Sequence, residues 1–246
     1  MAKNTGLIKF TGKVGHLSAR QTQYGNIIST PGGFKGERIK TEERYEATRQ
    51  LGTEFGRCSK IASQLYSTLA FYLQTLPHGH MYGSVQSLIT NIKGCDATSP
   101  KGERTFGIGL QTEQGRKMMH HFSFNPKRSQ GSVMAQSYGL VMEEGSLIVP
   151  DFDVQKVSFP KKVERLGIQL ALLRLDAEAP SCRMETSPLV LVSKEDEIAD
   201  LRLEAAVPEG EGFLLALLYF GFCNEVAGEA YFLRHPKNVL EVIGVL

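Results

Sequence analysis

The chain has 246 residues, of which 41% are hydrophobic and 22% charged; this composition is typical of a globular protein and excludes a largely disordered one. No apolar run approaches the roughly 20 residues that a membrane span needs, and the opening MAKNTGLIKF lacks the apolar core of a signal peptide. Residues 1–130 carry 18 Lys+Arg against 8 Asp+Glu, whereas residues 131–246 carry 10 against 18. This asymmetry favours a nucleic-acid partner for the basic half, head-to-tail contact between copies, or neutralisation of the two halves within one fold.

The N-terminal residues 1–40 are predicted to form a Gly-rich, basic β-arm. Strand candidates are Leu7–Phe10, Val14–Leu17 and Tyr24–Ile28, separated by glycines that favour bends and bulges. The arm has too few large apolar residues for a core of its own. We therefore expect it to lie on the rest of the chain or to pair with the sheet edge of a neighbouring copy.

Basic and aromatic side chains are interleaved in this arm. The pattern is compatible with nucleic-acid binding and comprises Phe10, Tyr24 and Phe34 among Lys3, Lys9, Lys13, Arg20, Lys35, Arg38 and Lys40. No recognised nucleic-acid motif surrounds them, so a solvated basic arm is the simpler alternative.

The next segment, residues 41–94, is predicted to be helical. A long amphipathic helix is expected from Thr41, as its N-cap, to Leu76, because apolar residues recur there every three or four positions. Gly52 and Gly56 lie one turn apart on this helix. They predict either the close approach of another backbone or a break between two shorter helices.

A second helix, Tyr82–Lys93, is predicted to end at Gly94. Residues 95–246 are then predicted to form an antiparallel, immunoglobulin-like β-sandwich, because short strand patterns recur every 8–12 residues with turn residues between them. The strand candidates are Thr105–Thr112, Met118–Phe124, Ser146–Val149, Val154–Phe159, Gly167–Leu175, Pro188–Val192, Asp200–Val207, Phe213–Phe222, Glu225–Arg234 and Val239–Val245. The predicted fold class is therefore α+β, mainly β.

The cysteines predict a reducing, cytoplasmic setting. They are widely spaced and form no C-x-x-C pair, so neither a zinc knuckle nor a thioredoxin-type site is expected. Two of them, Cys58 and Cys223, fall in apolar stretches and are expected to be buried.

Patterns that carry chemistry are incomplete. Gly6 and Gly12-Lys13 are separated by five residues instead of four, and Val14 stands where a phosphate-binding loop needs Ser or Thr. Gly107 and Gly109 lack a third glycine at the dinucleotide spacing. No cofactor is predicted.

Metal binding is also not predicted. His78 and His80 follow the long helix, and His120 and His121 fall in a strand candidate, where adjacent residues project to opposite faces and cannot share an ion. The pair Asp151 and Asp153 would share one strand face but has no further ligand nearby. No catalytic residue is predicted.

The pattern Gly6…Phe10-x-Gly12-Lys13-Val14-Gly15-x-Leu17-x-x-Arg20, followed by Gly25 and Pro31, resembles the opening of uncharacterised proteins common in Bacteroidota. The resemblance covers residues 6–76 and implies a hairpin, then a helix, with β-structure behind them. This chain departs from the family pattern because Ser29-Thr30-Pro31 replaces an Arg-x-Arg-Pro strand end. Since the family has no assigned function, the resemblance implies no catalytic residues.

The leading hypothesis is a non-enzymatic structural protein that self-assembles into a tube, filament or shell through arm exchange and charge-complementary contacts. The residues predicted to contact a neighbouring subunit are Lys9, Phe10, Lys13, Leu17, Arg20, Tyr24, Gly52 and Gly56. One alternative is a nucleic-acid-associated protein that uses the basic half, and another is an adaptor whose sandwich binds a different protein. No membrane partner is expected.

Overall fold

The computed structural model describes residues 2–6, 9–30, 36–77, 81–161, 163–226 and 229–246. Contacts divide the chain into two compact units, Met1–Arg49 and Gln50–Leu246. Helices and antiparallel strands occur together, with most of the strands in the C-terminal unit. The predicted α+β, mainly β fold class is confirmed.

The N-terminal unit contains an antiparallel sheet, in which four short strands are described in the order β1-β4-β3-β2. Its strands are β1 (Ala2–Lys3), β2 (Gly12–Val14), β3 (Leu17–Thr22) and β4 (Gly25–Ser29). Gly15, at φ +56°, lies in the turn between β2 and β3, and Gly25, at φ +111°, opens β4. Both residues adopt left-handed backbone conformations that favour glycine.

The predicted strands of the arm are only partly correct. A strand over Val14–Leu17 is wrong, because the turn at Gly15 separates β2 from β3. Tyr24 precedes β4, in a turn where the Thr22 hydroxyl donates to the Gly25 carbonyl. Of the candidate Leu7–Phe10, the first two residues lie outside the described ranges, and the last two are not in a strand.

The segment Thr41–Leu76 is helical as predicted, and of the two alternatives left open for its continuity the structure shows the divided one, although the break is not at the glycines. The segment forms α1 (Gly36–Thr41), a 3₁₀ turn (Glu43–Tyr45), α2 (Glu46–Thr68) and α3 (Ala70–Thr75). Thr41 is the last residue of α1 instead of an N-cap, and its hydroxyl donates to the Glu37 carbonyl. Helix α2 runs unbroken through Gly52 and Gly56, and the break falls at Leu69.

Helix α4 (Met81–Gly94) confirms the predicted second helix. Two strand candidates, Thr105–Thr112 and Met118–Phe124, are wrong, because this region forms the helices α5 (Phe106–Gln111) and α6 (Glu113–Met119). The hydroxyls of Thr105 and Thr112 cap these helices by accepting hydrogen bonds from the amides of Ile108 and Gly115. Side-chain capping of this kind favours helix over strand.

The C-terminal unit is built on a six-stranded antiparallel sheet with the order β12-β11-β7-β8, in which β13 also pairs with β11 and β9 with β7. A second sheet has the order β10-β6-β5. The strands are β5 (Gly139–Val141), β6 (Ser146–Val149), β7 (Arg165–Asp176), β8 (Ser181–Thr186), β9 (Val190–Ser193), β10 (Leu201–Glu204), β11 (Phe213–Val226), β12 (Glu229–Phe232) and β13 (Val239–Val245).

The six-stranded sheet is covered on both faces. Ile168, Leu170 and Leu172 of β7 share one apolar core with the smaller sheet, which is the face-to-face packing of a sandwich. The alternate residues Leu173 and Leu175 share the other core with helices α2 to α6. Cys58 and Cys223 are buried, as predicted.

Two further differences concern the C-terminal strands. The predicted strand Val154–Phe159 is wrong, because Val154–Lys156 is a 3₁₀ turn that begins where the Asp153 carboxylate accepts the Gln155 amide. Strand β8 was not predicted from the sequence SCRMET, in which polar and apolar residues alternate weakly. Within the described ranges, no helix has the length and apolar character needed to cross a membrane.

Candidate functional site

The N-terminal sheet has one apolar face. Directly opposite residues of an antiparallel pair project to the same side, and Ala19 lies opposite both Gly12 and Ile28, while Val14 lies opposite Leu17. The register therefore gathers the apolar side chains of Val14, Leu17, Ala19 and Ile28 on one face.

Little of this apolar face is buried. In the described strands of the sheet, only Ala19 and Asn26 are fully buried, whereas Val14 is 63% and Leu17 43% exposed. Burying a methylene group contributes about 0.8 kcal/mol, but ordering the backbone of each residue costs about 1–2 kcal/mol. Even with Ile28 half-buried, the sheet does not build a core that could stabilise it.

The opposite face of the sheet is basic. Ile27 lies opposite both Lys3 and Arg20, and Lys13 lies opposite Ser18, so the three cationic side chains project to the same side. Residues 1–36 contain five Lys+Arg and no Asp or Glu. A sheet with one apolar and one basic face results.

Asn26 ties the preceding loop to this sheet. Its side-chain amide donates to the Phe10 carbonyl at 2.8 Å, and its own carbonyl accepts the Asn4 amide. Phe10 is half-buried, and Lys9 beside it is exposed. Tyr24 is 68% exposed at the turn before β4, so the structure leaves it, with Leu17, available for contact.

Helix α2 has an exposed apolar end. Leu51 and Phe55 belong to the apolar face of this helix, yet they are about half exposed, and the first buried apolar residue on the face is Cys58. A Cβ added to Gly52 or Gly56 would meet no atom within 4 Å. We call Leu51, Gly52, Phe55 and Gly56 the α2 stripe.

Two acidic loops meet in the C-terminal unit. Phe152 donates its amide to the Ala199 carbonyl at 2.9 Å, and the Asp151 amide lies 3.2 Å from the Asp200 carboxylate. The loops 150–155 and 194–200 together hold six Asp+Glu and one Lys. We call them the acidic loops.

His120 and His121 make contacts with strand β13. His120 and His121 follow α6 and are not on a strand, so the expectation that they point to opposite faces is wrong; their ring centroids are 3.9 Å apart. His120 Nε2 contacts the Ile243 carbonyl at 2.9 Å, and His121 Nδ1 contacts Glu241 at 3.3 Å. Both residues thus anchor the end of α6 to β13.

His78 and His80 lie outside the described ranges. Elsewhere in the described chain, no three His, Cys, Asp or Glu residues are grouped to hold a metal ion. Asp151 and Asp153 are in a turn and a helix cap instead of on one strand face, because Asp151 has φ +48° and Asp153 caps the 3₁₀ turn.

The structure thus brings Lys13 and Arg20 together on the basic face and places Leu17 on the apolar one. Gly52 and Gly56 lie on α2, in the other unit of the chain. Sequence reasoning missed the exposure of Leu51 and Phe55, because helical periodicity shows which residues share a face but not how much of that face is packed against other elements. It also missed the meeting of the acidic loops, which depends on contacts between distant segments.

Comparison of the chain with family models, with curated proteins and with solved structures finds no match. The resemblance of residues 6–76 to the Bacteroidota proteins stays a prediction.

Proposed function

We propose that the protein is a non-enzymatic structural subunit that assembles with copies of itself, and that the N-terminal sheet of one copy docks on the C-terminal unit of another. The observation that carries the proposal is the near absence of buried apolar side chains in the described part of that sheet. Isolated small sheets need an apolar face packed on something to be stable. A neighbouring copy provides such a surface.

Each face of the sheet matches a surface of a neighbouring copy. Its α2 stripe exposes Leu51 and Phe55, which suit the apolar face carrying Val14 and Leu17. Its acidic loops suit the basic face, and residues 176–211 as a whole carry ten Asp+Glu against three Lys+Arg. Complementary charge orients partners and excludes like-charged alternatives.

Contact between two different surfaces has a consequence for symmetry. Because the sheet of one copy binds a different surface on the next, each copy keeps one surface free after pairing. Such heterologous contacts close into rings or extend into helical polymers. A filament, tube or shell is therefore the expected product.

The test is the mass of the purified protein by light scattering after size exclusion, together with negative-stain microscopy. We expect assemblies in low salt that dissociate as salt screens the charged contacts. The variant Val14→Ser combined with Leu17→Ser should shift the population to monomers. The matched control is Val141→Ser, another exposed valine on a short edge strand, which should leave assembly unchanged.

A strictly monomeric wild-type protein at every salt and protein concentration would overturn the proposal. Equal loss of assembly in the Val141→Ser control would overturn the assignment to the N-terminal sheet. Capture of one unlike protein in constant stoichiometry would favour the adaptor alternative.

The segregation of Lys3, Lys13 and Arg20 on one face favours nucleic-acid binding as the second candidate function. Binding to phosphates would weaken steeply as salt rises, because counterions are released from the nucleic acid. Replacing Lys9, Lys13 and Arg20 by glutamine should then abolish the retention of nucleic acid. Unchanged retention would argue against this face.

A further inference from the structure

The C-terminal unit contains a cleft of about 960 Å³ between helices and strand turns. One wall comes from α2 and the segment that leads into α5, and the other comes from the β7–β8 turn and the loop before β11. Gly107 of α5 brings these walls together, since a Cβ added there would lie 3.3 Å from the Cβ of Ala177. A cleft of this volume is in the range that holds small organic ligands.

One wall of the cleft is cationic. The side chains that give it this charge are Arg57, Lys60, Arg104 and Arg116. In the described chain, none of these four makes an ion pair with a carboxylate, although other exposed cations do. Four cations on one wall, none of them held in an ion pair, form an anion-binding surface.

Arg104 is the least satisfied of these cations. Its Nε is buried and has no hydrogen-bond partner among the described residues. Buried polar groups are almost always paired, and the unpaired Nε shows that no carboxylate of the described chain neutralises this guanidinium. An anion in the cleft would reach the other nitrogens of the guanidinium, which suit a carboxylate or phosphate oxygen.

The segment that carries Arg104 is held on both sides. Glu54 of α2 accepts the Gly102 amide at 2.7 Å, and the Asp96 carboxylate accepts the Thr105 amide at 3.0 Å. Arg57 adds a contact of 3.4 Å to the Glu103 carbonyl. The position of the Arg104 backbone is therefore fixed by buried carboxylates and does not depend on a bound ligand.

The remaining surface of the cleft defines the rest of the ligand. Ile61 and Phe106 are almost fully buried beneath the cleft, whereas Ile108 and Phe213 are half-buried and form its accessible apolar floor. An apolar or aromatic body would be covered there. Half-buried Asp176 and exposed Glu178 and Glu211 line the other wall and oppose a second negative charge there.

We propose that this cleft binds a small organic phosphate, with the phosphate on the cationic wall near Arg104 and an uncharged apolar or aromatic body over Ile108 and Phe213. The cleft shares no residue with the α2 stripe or with the acidic loops. It adds a ligand to a protein whose main role we assign to self-association.

Phenyl phosphate is the probe, and isothermal titration calorimetry on the full chain is the measurement. We expect saturable binding of one molecule per chain. Inorganic phosphate should bind more weakly because it does not cover the apolar floor, and 4-carboxyphenyl phosphate should bind more weakly because its second charge meets Glu178 and Glu211.

Arg104→Gln should weaken binding about tenfold or more, because it removes a charged donor. Lys60→Gln, on the exposed side of α2, is the second variant and should weaken binding without affecting the fold. Lys127→Gln is the matched control, since Lys127 is exposed and does not line the cleft. Circular dichroism checks that each variant is folded.

Three results would overturn the proposal. They are the absence of saturable binding to the wild type, an equal loss of affinity in Lys127→Gln, and tighter binding of benzoate than of phenyl phosphate. The double variant Val14→Ser, Leu17→Ser separates the two proposals, because monomers that still bind phenyl phosphate support the cleft independently of assembly.

Discussion

Replacing Glu54 by glutamine tests what holds α2, α4 and the segment before α5 together. Glu54 is 1% exposed and accepts hydrogen bonds from Lys93 Nζ at 2.5 Å and from the Gly102 amide at 2.7 Å. Glutamine keeps the shape of the side chain and an oxygen that can accept the hydrogen bond from the Gly102 amide. It leaves the ammonium of Lys93, whose side chain is only 11% exposed, without a counter-charge.

The magnitude follows from this burial. Removing one partner of a buried ion pair costs about 3–5 kcal/mol, and the acceptor that remains for Gly102 favours the lower end, about 3 kcal/mol. For a unit of this size, 1 kcal/mol shifts Tm by about 2–4 °C. We therefore expect Tm to fall by roughly 6–12 °C.

The assay is thermal unfolding followed by circular dichroism at 222 nm, repeated with urea. Glu113→Gln is the control, because its i,i+4 pair with Lys117 is exposed and should contribute less than about 1 kcal/mol. Adding Lys93→Met to Glu54→Gln should restore part of the stability, since the unpaired buried charge is removed. Equal shifts of Tm in Glu54→Gln and Glu113→Gln would refute the reasoning.

The same carboxylate predicts a pH dependence. Burial raises the pKa of Glu54, but the hydrogen bonds from Lys93 and Gly102 outweigh it, and the pKa is lowered from its ordinary value of 4.5. The folded state then binds fewer protons than the unfolded state. The stabilisation is fully present above pH 4.5 and is lost as the pH falls through the folded-state pKa, so Glu54→Gln should flatten the acid side of the stability profile.

Two further predictions concern glycines and thiols. Gly109→Ala should destabilise the folded chain by at least about 1–3 kcal/mol, because the added Cβ would lie 2.0 Å from the Ile92 carbonyl oxygen. Gly52→Ala has open space around it and should stabilise the folded monomer by about 1 kcal/mol. Thermal unfolding that ranks the two variants the other way would contradict this packing. Burial raises the pKa of the Cys58 and Cys223 thiols and raises that of Cys182 to about 11, so at pH 8 only about one Cys182 in a thousand is a thiolate. Ellman's reagent should therefore react rapidly with Cys95 alone in the native chain and with all four cysteines after denaturation, and rapid release of several equivalents before denaturation would disprove the burial argument.

The central sheet was predictable because its strands carry strong local signals. The candidates Gly167–Leu175 and Phe213–Phe222 fall within β7 and β11. Their consecutive apolar residues are typical of strands that are buried on both faces. The helical cover on the second face was not predicted, because the sequence was assigned only a sandwich, in which one face of each sheet packs on the other sheet.

The region of α5 and α6 was not predictable in the same way. Gly107, Gly109 and Gly115 lower helix propensity, which favoured the incorrect strand assignment. Their use is tertiary: Gly109 approaches the backbone of α4, and Gly115 approaches the backbone of Gly109. The candidate cleft depends on the same packing, so Arg104 carried no signal in the sequence beyond its charge.

The two faces of the N-terminal sheet discriminate between the candidate partners. A nucleic acid would neutralise Lys3, Lys13 and Arg20 but would leave Val14 and Leu17 in water, so the sheet would still lack a core. A second copy of the chain has both an apolar surface at the α2 stripe and negative charge at the acidic loops.

Because hydrophobic burial is insensitive to moderate salt while exposed charge pairs are screened, assembly should lose affinity gradually as salt rises. Nucleic-acid binding, which depends on phosphate contacts, should fall far more steeply. The salt dependence of one purified sample therefore distinguishes the two partners by the face that each one uses.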